Sequence, residues 1–203
     1  MFDAKLRRYI DPSLNRIARD LAQMGISANH VTIIGAISGL CGAAVIALGA
    51  PLVGLALFLA GRLLDGLDGA VARNTRPTNL GAYLDIVLDF AVYAAMPLAF
   101  AILNPGQNAV AGAALLASFL LNGAAFLGFA LMAEKLHLET QAQGHKSLYY
   151  LGGLAEGGET IFFVALMCLW PSWFPFIALS FAALCVVSGL ARIVLAWRLL
   201  SDA

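Results

Sequence analysis

The fold is decided by residues 52–103, which read LVGLALFLAGRLLDGLDGAVARNTRPTNLGAYLDIVLDFAVYAAMPLAFAIL. Two apolar stretches, Leu52 to Ala72 and Leu80 to Leu103, are separated by a short polar link that contains Pro77. Each has the length of about 20 residues that a helix needs to cross a bilayer. Both nevertheless carry carboxylates, at Asp65, Asp68, Asp85 and Asp89. The stretch therefore predicts two membrane helices that bring acidic groups into a polar site.

The composition of the rest of the chain is equally apolar. Of 203 residues, 61% are hydrophobic and only 12% are charged, against roughly 25% charged residues in a soluble domain. Equal numbers of basic and acidic residues, 12 of each, argue against a basic nucleic-acid-binding protein. Four further segments have the length and apolarity of a membrane span: Asn29 to Gly49, Ala109 to Met132, Tyr150 to Trp170 and Trp173 to Leu199. We therefore predict an all-α polytopic membrane protein with six transmembrane helices.

The segment before the first span is amphipathic. Apolar residues recur at helical spacing between Leu6 and Leu21, and they alternate with several arginines. This pattern is typical of a helix that lies in the membrane interface; the alternative is an amphipathic helix packed on the spans. We expect one domain over residues 1–203, with an N-terminal interfacial amphipathic helix at 1–25 and a six-helix bundle at 29–199.

The distribution of basic residues predicts the topology. Lys and Arg occur in the N-terminal segment, near the C-terminus and in two of the five links, whereas the other three links have none. A six-span chain places all of these basic regions on one side, which the positive-inside rule makes cytoplasmic. We expect both termini and the active site at the cytoplasmic face, in a bacterial inner membrane.

The spacing of the four aspartates predicts a metal site. Asp65 and Asp68 share one face of the second span, and Asp85 and Asp89 share one face of the third. The short link makes these two helices neighbours, so that the carboxylates converge. Like charges in a cavity repel one another unless a cation neutralises them, and Mg²⁺ prefers carboxylate and phosphate oxygens. Together with Arg73, whose planar guanidinium fits phosphate, the cluster indicates phosphoryl-type transfer.

Residues 65–89, DGLDGAVARNTRPTNLGAYLDIVLD, resemble the signature of the CDP-alcohol phosphotransferases, D-x-x-D-G-x-x-A-R followed by G-x-x-x-D-x-x-x-D. Each fixed position is matched, although the spacer at 74–80 is one residue shorter than is usual in that family. Upstream, Asn29 and Thr32 match the entry to the family's first span, where Ala28 replaces a proline. The family reaction displaces CMP from a CDP-alcohol by a second alcohol and commonly makes a phospholipid.

The resemblance assigns roles to the matched residues and implies a homodimer. Two divalent ions, Mg²⁺ or Mn²⁺, would be held by Asp65, Asp68, Asp85 and Asp89. Asp89 would also be the catalytic base that removes the proton of the acceptor alcohol. The CDP moiety would contact Asn29, Thr32, Gly69, Arg73 and Thr78.

A second polar group lies on the last two spans, at Glu156, Glu159 and Arg192. It is either an ion pair that holds these helices together or part of an acceptor-alcohol site. Some family members that use inositol phosphate carry Arg where this chain has Gly157, which argues against a phosphorylated acceptor.

The sequence favours a transferase that uses CDP-diacylglycerol and a small alcohol. A close rival transfers a soluble CDP-linked headgroup to a lipid alcohol. A rival from another class is a cation transporter that uses the Asp cluster. It is disfavoured because the outer halves of the spans carry no charge. A catalytically dead scaffold is disfavoured because every signature position is retained.

Overall fold

The computed structural model describes residues 14–136 and 157–201, and this part of the chain is helical without strands. Residues 14–23 are helical and are called α1. The other α-helices are α2 (Ala28–Ala47), α3 (Pro51–Asn74), α4 (Asn79–Leu103), α5 (Pro105–Lys135), α6 (Gly157–Leu169) and α7 (Phe174–Ser201). A 3₁₀ turn at Pro171–Trp173 leads into α7. The prediction of an all-α protein is confirmed for the described residues.

Helices α2 to α7 lie where the six spans are predicted. Four described stretches are long and apolar enough to cross a membrane, Ala28–Ala47, Asn79–Leu103, Pro105–Lys135 and Pro171–Ser201. Helix α3 is 24 residues long but carries four charged side chains, and α6 is described over only 13 residues. The chain is thus built as a membrane protein, while the count of six spans stays a prediction.

The N-terminal amphipathic helix is described only from residue 14 onwards. Its Ala18 is fully buried in a small apolar cluster that contains Val31 of α2 and Leu67 of α3. This contact shows that α1 packs on α2 and α3. Such packing is what the second interpretation, an amphipathic helix packed on the spans, predicts. A position in the membrane interface stays a prediction.

Helix α2 is the element on which the site helices meet. It packs along both α3 and α4, whereas α3 and α4 make little direct backbone contact with each other. The two helices are neighbours through their side chains, as the hydrogen bond from Arg62 of α3 to Asp89 of α4 shows, but their backbones do not pack closely. Both helices reach the same site because α2 supports each of them.

Glycines on facing surfaces let α2 and α3 approach closely. A Cβ atom on Gly42 would lie 2.7 Å from the carbonyl oxygen of Gly54, and one on Gly61 would lie 2.7 Å from that of Gly35. Ser38 also donates a hydrogen bond across this contact to the carbonyl of Leu57, at 2.8 Å. Small residues at membrane helix contacts commonly serve this purpose. The glycine-rich stretch of α2 is therefore a packing surface.

The main apolar core draws buried residues from all six helices α2 to α7. Phe163 of α6 stacks on Phe181 of α7 with ring centroids 4.4 Å apart, and Phe100 of α4 stacks on Phe174 at 4.7 Å. Many large apolar side chains remain on the outer surface, as a lipid environment requires. The stack of Phe100 on Phe174 therefore joins the end of α4 to the start of α7, and the stack of Phe163 on Phe181 joins α6 to α7.

We predict that Gly61→Ala destabilises the protein. The added methyl group would meet the Gly35 carbonyl, and such overpacking costs about 1–3 kcal/mol. A thermal unfolding midpoint measured in detergent should fall. Gly128→Ala is the matched control, because a Cβ on Gly128 of α5 has nothing within 4 Å. An unchanged midpoint for Gly61→Ala would mean that the two helices can separate at no cost.

Candidate active site

A large cavity opens between the helices. It has a volume of about 1310 Å³ and is lined by residues of α3, α4, α5, α6 and α7, with Leu14 of α1 at its edge. One part of its wall carries the signature aspartates and Arg73. Another part, formed by α5, α6 and α7, is largely apolar and includes Phe119 and Phe126. The cavity can therefore accept a molecule that has both charged and apolar portions.

Three carboxylates form a compact cluster on the cavity wall. Asp65 and Asp68 of α3 and Asp85 of α4 each offer an oxygen atom, and these oxygens lie within 4.8 Å of one another. Asp68 is buried, Asp65 is partly buried and Asp85 is exposed to the cavity. Such a set of hard oxygen donors is suited to Mg²⁺ or Mn²⁺. The residues present therefore fit a divalent ion.

Thr32 of α2 holds one of these carboxylates. Its Oγ1 lies 2.5 Å from Oδ2 of Asp68 and 3.0 Å from the carbonyl oxygen of Ala28. A hydroxyl has a single hydrogen, so the shorter contact marks Asp68 as the favoured acceptor. Thr32 is predicted to lie beside CDP, and in the structure its hydroxyl orients a metal-ligand candidate. Sequence spacing gave no signal for this contact between positions 32 and 68.

Arg62 bridges Asp89 and the three-carboxylate cluster. Nη1 of Arg62 donates a hydrogen bond of 2.5 Å to Oδ1 of Asp89. The same nitrogen lies 3.7 Å from Oδ2 of Asp65 and 3.2 Å from the hydroxyl of Tyr93. The structure thus brings three of the four predicted metal ligands together and gives the fourth a guanidinium partner. Helical spacing puts Arg62 near Asp65, three residues later, but gives no signal for its pairing with Asp89.

The residues predicted to contact CDP lie in two groups. At the start of α4, the Thr78 hydroxyl caps the helix by accepting a hydrogen bond from the Gly81 N–H at 3.0 Å. Oδ1 of Asn29 lies 2.8 Å from the Cβ position of Gly81, which explains the glycine there. On α3, Gly69 and Arg73 line the cavity one helical turn apart.

The predicted acceptor residues are only partly described. Arg192 of α7 is buried, lines the cavity and donates a hydrogen bond of 2.8 Å to Oδ1 of Asn122. Its guanidinium also lies 5.5 Å from the ring centre of Phe126. Glu156 lies outside the described residues, and Glu159 is on α6 but is not part of the cavity lining. Asn122 and Phe126 were not singled out from the sequence, because neither belongs to a charged pattern.

The sequence profile of the family described as CDP-alcohol phosphatidyltransferase matches residues 25–200. The chain belongs to this family. It is therefore a CDP-alcohol phosphotransferase, as residues 65–89 indicate. The rival interpretations as a cation transporter or a dead scaffold are not supported by this membership.

Two relatives match this chain over very different lengths. The chain is 44% identical over 193 residues to the "Inner membrane protein YnjF" of Escherichia coli (strain K12), covering 95% of this chain and 94% of that protein. It is 39% identical over 89 residues to the archaetidylinositol phosphate synthase of Methanothermobacter thermautotrophicus, covering 43% of this chain and 42% of the relative. The second match thus spans less than half of either protein.

Solved structures show the same fold. The chain superposes on Mycobacterium tuberculosis phosphatidylinositol phosphate synthase (PgsA1) with CDP-DAG bound, with a TM-score of 0.71 and 23% identity, over 91% of this chain and 93% of that one. The PgsA1 complex with manganese and citrate gives a TM-score of 0.70 at 23% identity, over 91% and 88% of the two chains. At this identity the likeness concerns the fold alone.

We predict that Thr32→Val weakens divalent metal binding. Valine has a similar shape but cannot donate a hydrogen bond to Asp68. Loss of a partner that orients a metal ligand typically costs about 10–100-fold in affinity, which a Mn²⁺ titration of the purified protein would measure. Ser38→Ala removes another inter-helix hydroxyl, one that bonds to a backbone carbonyl, and should leave metal affinity unchanged. Equal affinities in all three proteins would show that Thr32 does not position Asp68.

Proposed function

We propose that the protein displaces CMP from CDP-diacylglycerol with a small alcohol and so forms a phospholipid. The observation that carries the proposal is the cluster of Asp65, Asp68 and Asp85 on the wall of a cavity that also has a large apolar portion. A diphosphate would be bound through the aspartate cluster. The acyl chains and the acceptor would occupy the apolar portion of the cavity. Family membership supplies the reaction type.

The metal ligands of the proposal are Asp65, Asp68 and Asp85, together with Asp89 as the family resemblance implies. Support comes from their oxygen donors and from a PgsA1 structure in complex with manganese and citrate. A divalent ion bound here would stabilise the negative charge of the phosphates and of the departing CMP. The choice between Mg²⁺ and Mn²⁺ is part of the test below.

The donor would lie between α3 and the start of α4. Arg73 offers a planar fork to a phosphate oxygen. Gly69, one turn before it, has only the tip of Arg73 near its Cβ position, at 3.5 Å, so a ligand can approach the backbone there. Asn29 and Thr78, which lie near the start of α4, would form the other set of donor contacts. The PgsA1 structure with CDP-DAG bound supports a CDP-alcohol of this kind as donor.

The acceptor alcohol would lose its proton to Asp89, whose carboxylate lines the cavity. As the alcohol oxygen bonds to the phosphorus that carries the diacylglycerol, the bond from that phosphorus to the CMP oxygen breaks. Arg62 would orient Asp89 through its hydrogen bond. We place the acceptor near Arg192, with Glu159 on the adjoining helix α6 and with Glu156 as a further acceptor residue that the sequence predicts.

The wider setting is also a proposal. The distribution of Lys and Arg supports an active site and both termini at the cytoplasmic face. The Escherichia coli relative, named as an inner membrane protein, supports a bacterial inner membrane. A homodimer is the assembly that the family resemblance implies.

We predict metal-dependent release of CMP. Purified protein should release CMP from CDP-diacylglycerol when Mg²⁺ or Mn²⁺ and the correct small alcohol are present, and excess EDTA should abolish the release. Mass spectrometry of the lipids formed with a panel of alcohols would identify the acceptor. A product formed only from a soluble CDP-linked headgroup and a lipid alcohol would reverse the roles of donor and acceptor. Full activity in EDTA would refute the metal requirement.

We also predict that Asp89→Asn slows single-turnover CMP release by about 10²–10⁴-fold, the usual contribution of a positioned base. Nucleotide affinity should stay within a few fold of wild type, because an amide keeps the shape and one oxygen. The variant leaves the buried Arg62 without its carboxylate, and breaking such a pair costs about 3–5 kcal/mol.

The double variant Arg62→Gln/Asp89→Asn controls for this loss. If Asp89 is the base, the double variant is as slow as Asp89→Asn. If the defect comes from the stranded Arg62 charge, the double variant recovers the rate, and Asp89 is not the base.

A further inference from the structure

Arg62 is a cation built into the acidic site. Its side chain is only 7% exposed, although it lies among carboxylates that line an open cavity. One nitrogen, Nη1, contacts Asp89 at 2.5 Å and Asp65 at 3.7 Å. These two carboxylates belong to different helices, α4 and α3. A single guanidinium nitrogen therefore bridges the two helices that carry the family signature.

Aromatic rings hold the guanidinium in this position. Its central carbon lies 5.0 Å from the ring centre of Tyr93 and 5.8 Å from that of Phe58. The Tyr93 hydroxyl accepts a hydrogen bond from Nη1 at 3.2 Å, and the Phe58 side chain is fully buried. A surface arginine would lose side-chain entropy to form such an ion pair. Here packing has already fixed the rotamer, so the pair with Asp89 is preorganised.

This position is where a second divalent ion would have to bind. The family resemblance implies two ions on four aspartates, and the second ion needs Asp89. Among residues 14–136 and 157–201, however, the one group of three or more ligand side chains whose atoms all lie within 4.8 Å of one another is Asp65, Asp68 and Asp85, without Asp89. A divalent ion on Asp89 would lie beside the Arg62 charge, and two cations a few ångströms apart in a partly apolar cavity repel each other strongly.

We propose that Arg62 takes the place of a second ion on Asp89 in the nucleotide-free protein, which therefore binds one divalent ion, at Asp65, Asp68 and Asp85. The inference rests on the proposed function in one respect, since it takes three of the four aspartates proposed there as the metal ligands of the nucleotide-free protein. Arg62 acts here as a positioning residue. Before a nucleotide binds, it keeps Asp89 out of the metal ligand set, with the carboxylate lining the cavity.

The test counts ions. Nucleotide-free protein in detergent is titrated with Mn²⁺, and free Mn²⁺ is followed by electron paramagnetic resonance to give the number of ions bound per chain. Wild type should bind one ion tightly. Arg62→Gln removes the charge and should bind two. Arg62→Met fills the same space with an apolar side chain and serves as a second variant if Arg62→Gln does not fold.

Two further variants separate charge from structure. Arg62→Lys keeps a positive charge and should bind one ion, as wild type does. Arg62→Gln/Asp89→Asn removes both partners and should return from two ions to one, because the second ion has lost its ligand. A merely structural role of Arg62 would change stability without changing the number of ions. Size-exclusion profiles and helical circular dichroism establish which variants are folded.

Two ions of similar affinity in wild type would overturn the proposal, as would one ion in every folded Arg62 variant. Measuring CMP release on the same samples separates this result from the proposed function. CMP release by a wild-type protein that binds two ions would reject the role of Arg62 and leave the transferase intact. If the ion counts follow the expected pattern but no CDP-alcohol releases CMP, the role of Arg62 stands and the proposed function is rejected.

Discussion

Negative charge gathered in an apolar helical framework is the constraint on which the rest of the structure depends. An ionised group at mid-bilayer costs roughly 2.5–3.5 kcal/mol on insertion scales, and like charges in one cavity add repulsion. Two positive charges can offset these costs, one from an arginine of the chain and one from a divalent ion. Arg62, fixed between Phe58 and Tyr93, neutralises Asp89. The other three aspartates form a set that suits a divalent ion.

Helix α2 makes this arrangement possible although it contributes no carboxylate. Its glycines let it pack closely on α3, and its contact with α4 places Asp85 within reach of Asp65 and Asp68. Thr32 then fixes the Asp68 carboxylate from the same helix. The geometry of the candidate metal ligands therefore depends on the packing of α2. A change in the glycine contact between α2 and α3 would also shift the acidic cluster.

The cavity separates two tasks of a group-transfer enzyme. Its charged wall, with Arg73 and the aspartates, suits a diphosphate, while its wall of α5, α6 and α7 side chains is apolar with a single described arginine, Arg192. Arg192 is held by Asn122 and lies against Phe126. Asp89 and Arg62 also line this cavity. A proton acceptor at Asp89 would share one cavity with the departing group and the incoming alcohol.

The sequence alone determined the class of fold, the positions of the helices and the reaction family. Apolar length and periodicity set the first two, since they depend on neighbours along one chain. The signature of residues 65–89 set the third. Spacing also placed Asp65 and Asp68 on one helix face, because positions three and four residues apart are always adjacent on a helix.

Only the tertiary structure decided which of these residues share a partner. Helical spacing fixes the face of each helix but not how the helices are rotated or which helix lies beside another. The sequence therefore suggested that α3 and α4 are neighbours and that four aspartates form one set. The structure supports both helices on α2, joins Asp68 to Thr32, and pairs Asp89 with Arg62. These contacts link positions 27 to 36 residues apart, and such distances along the chain leave no periodic trace in the sequence.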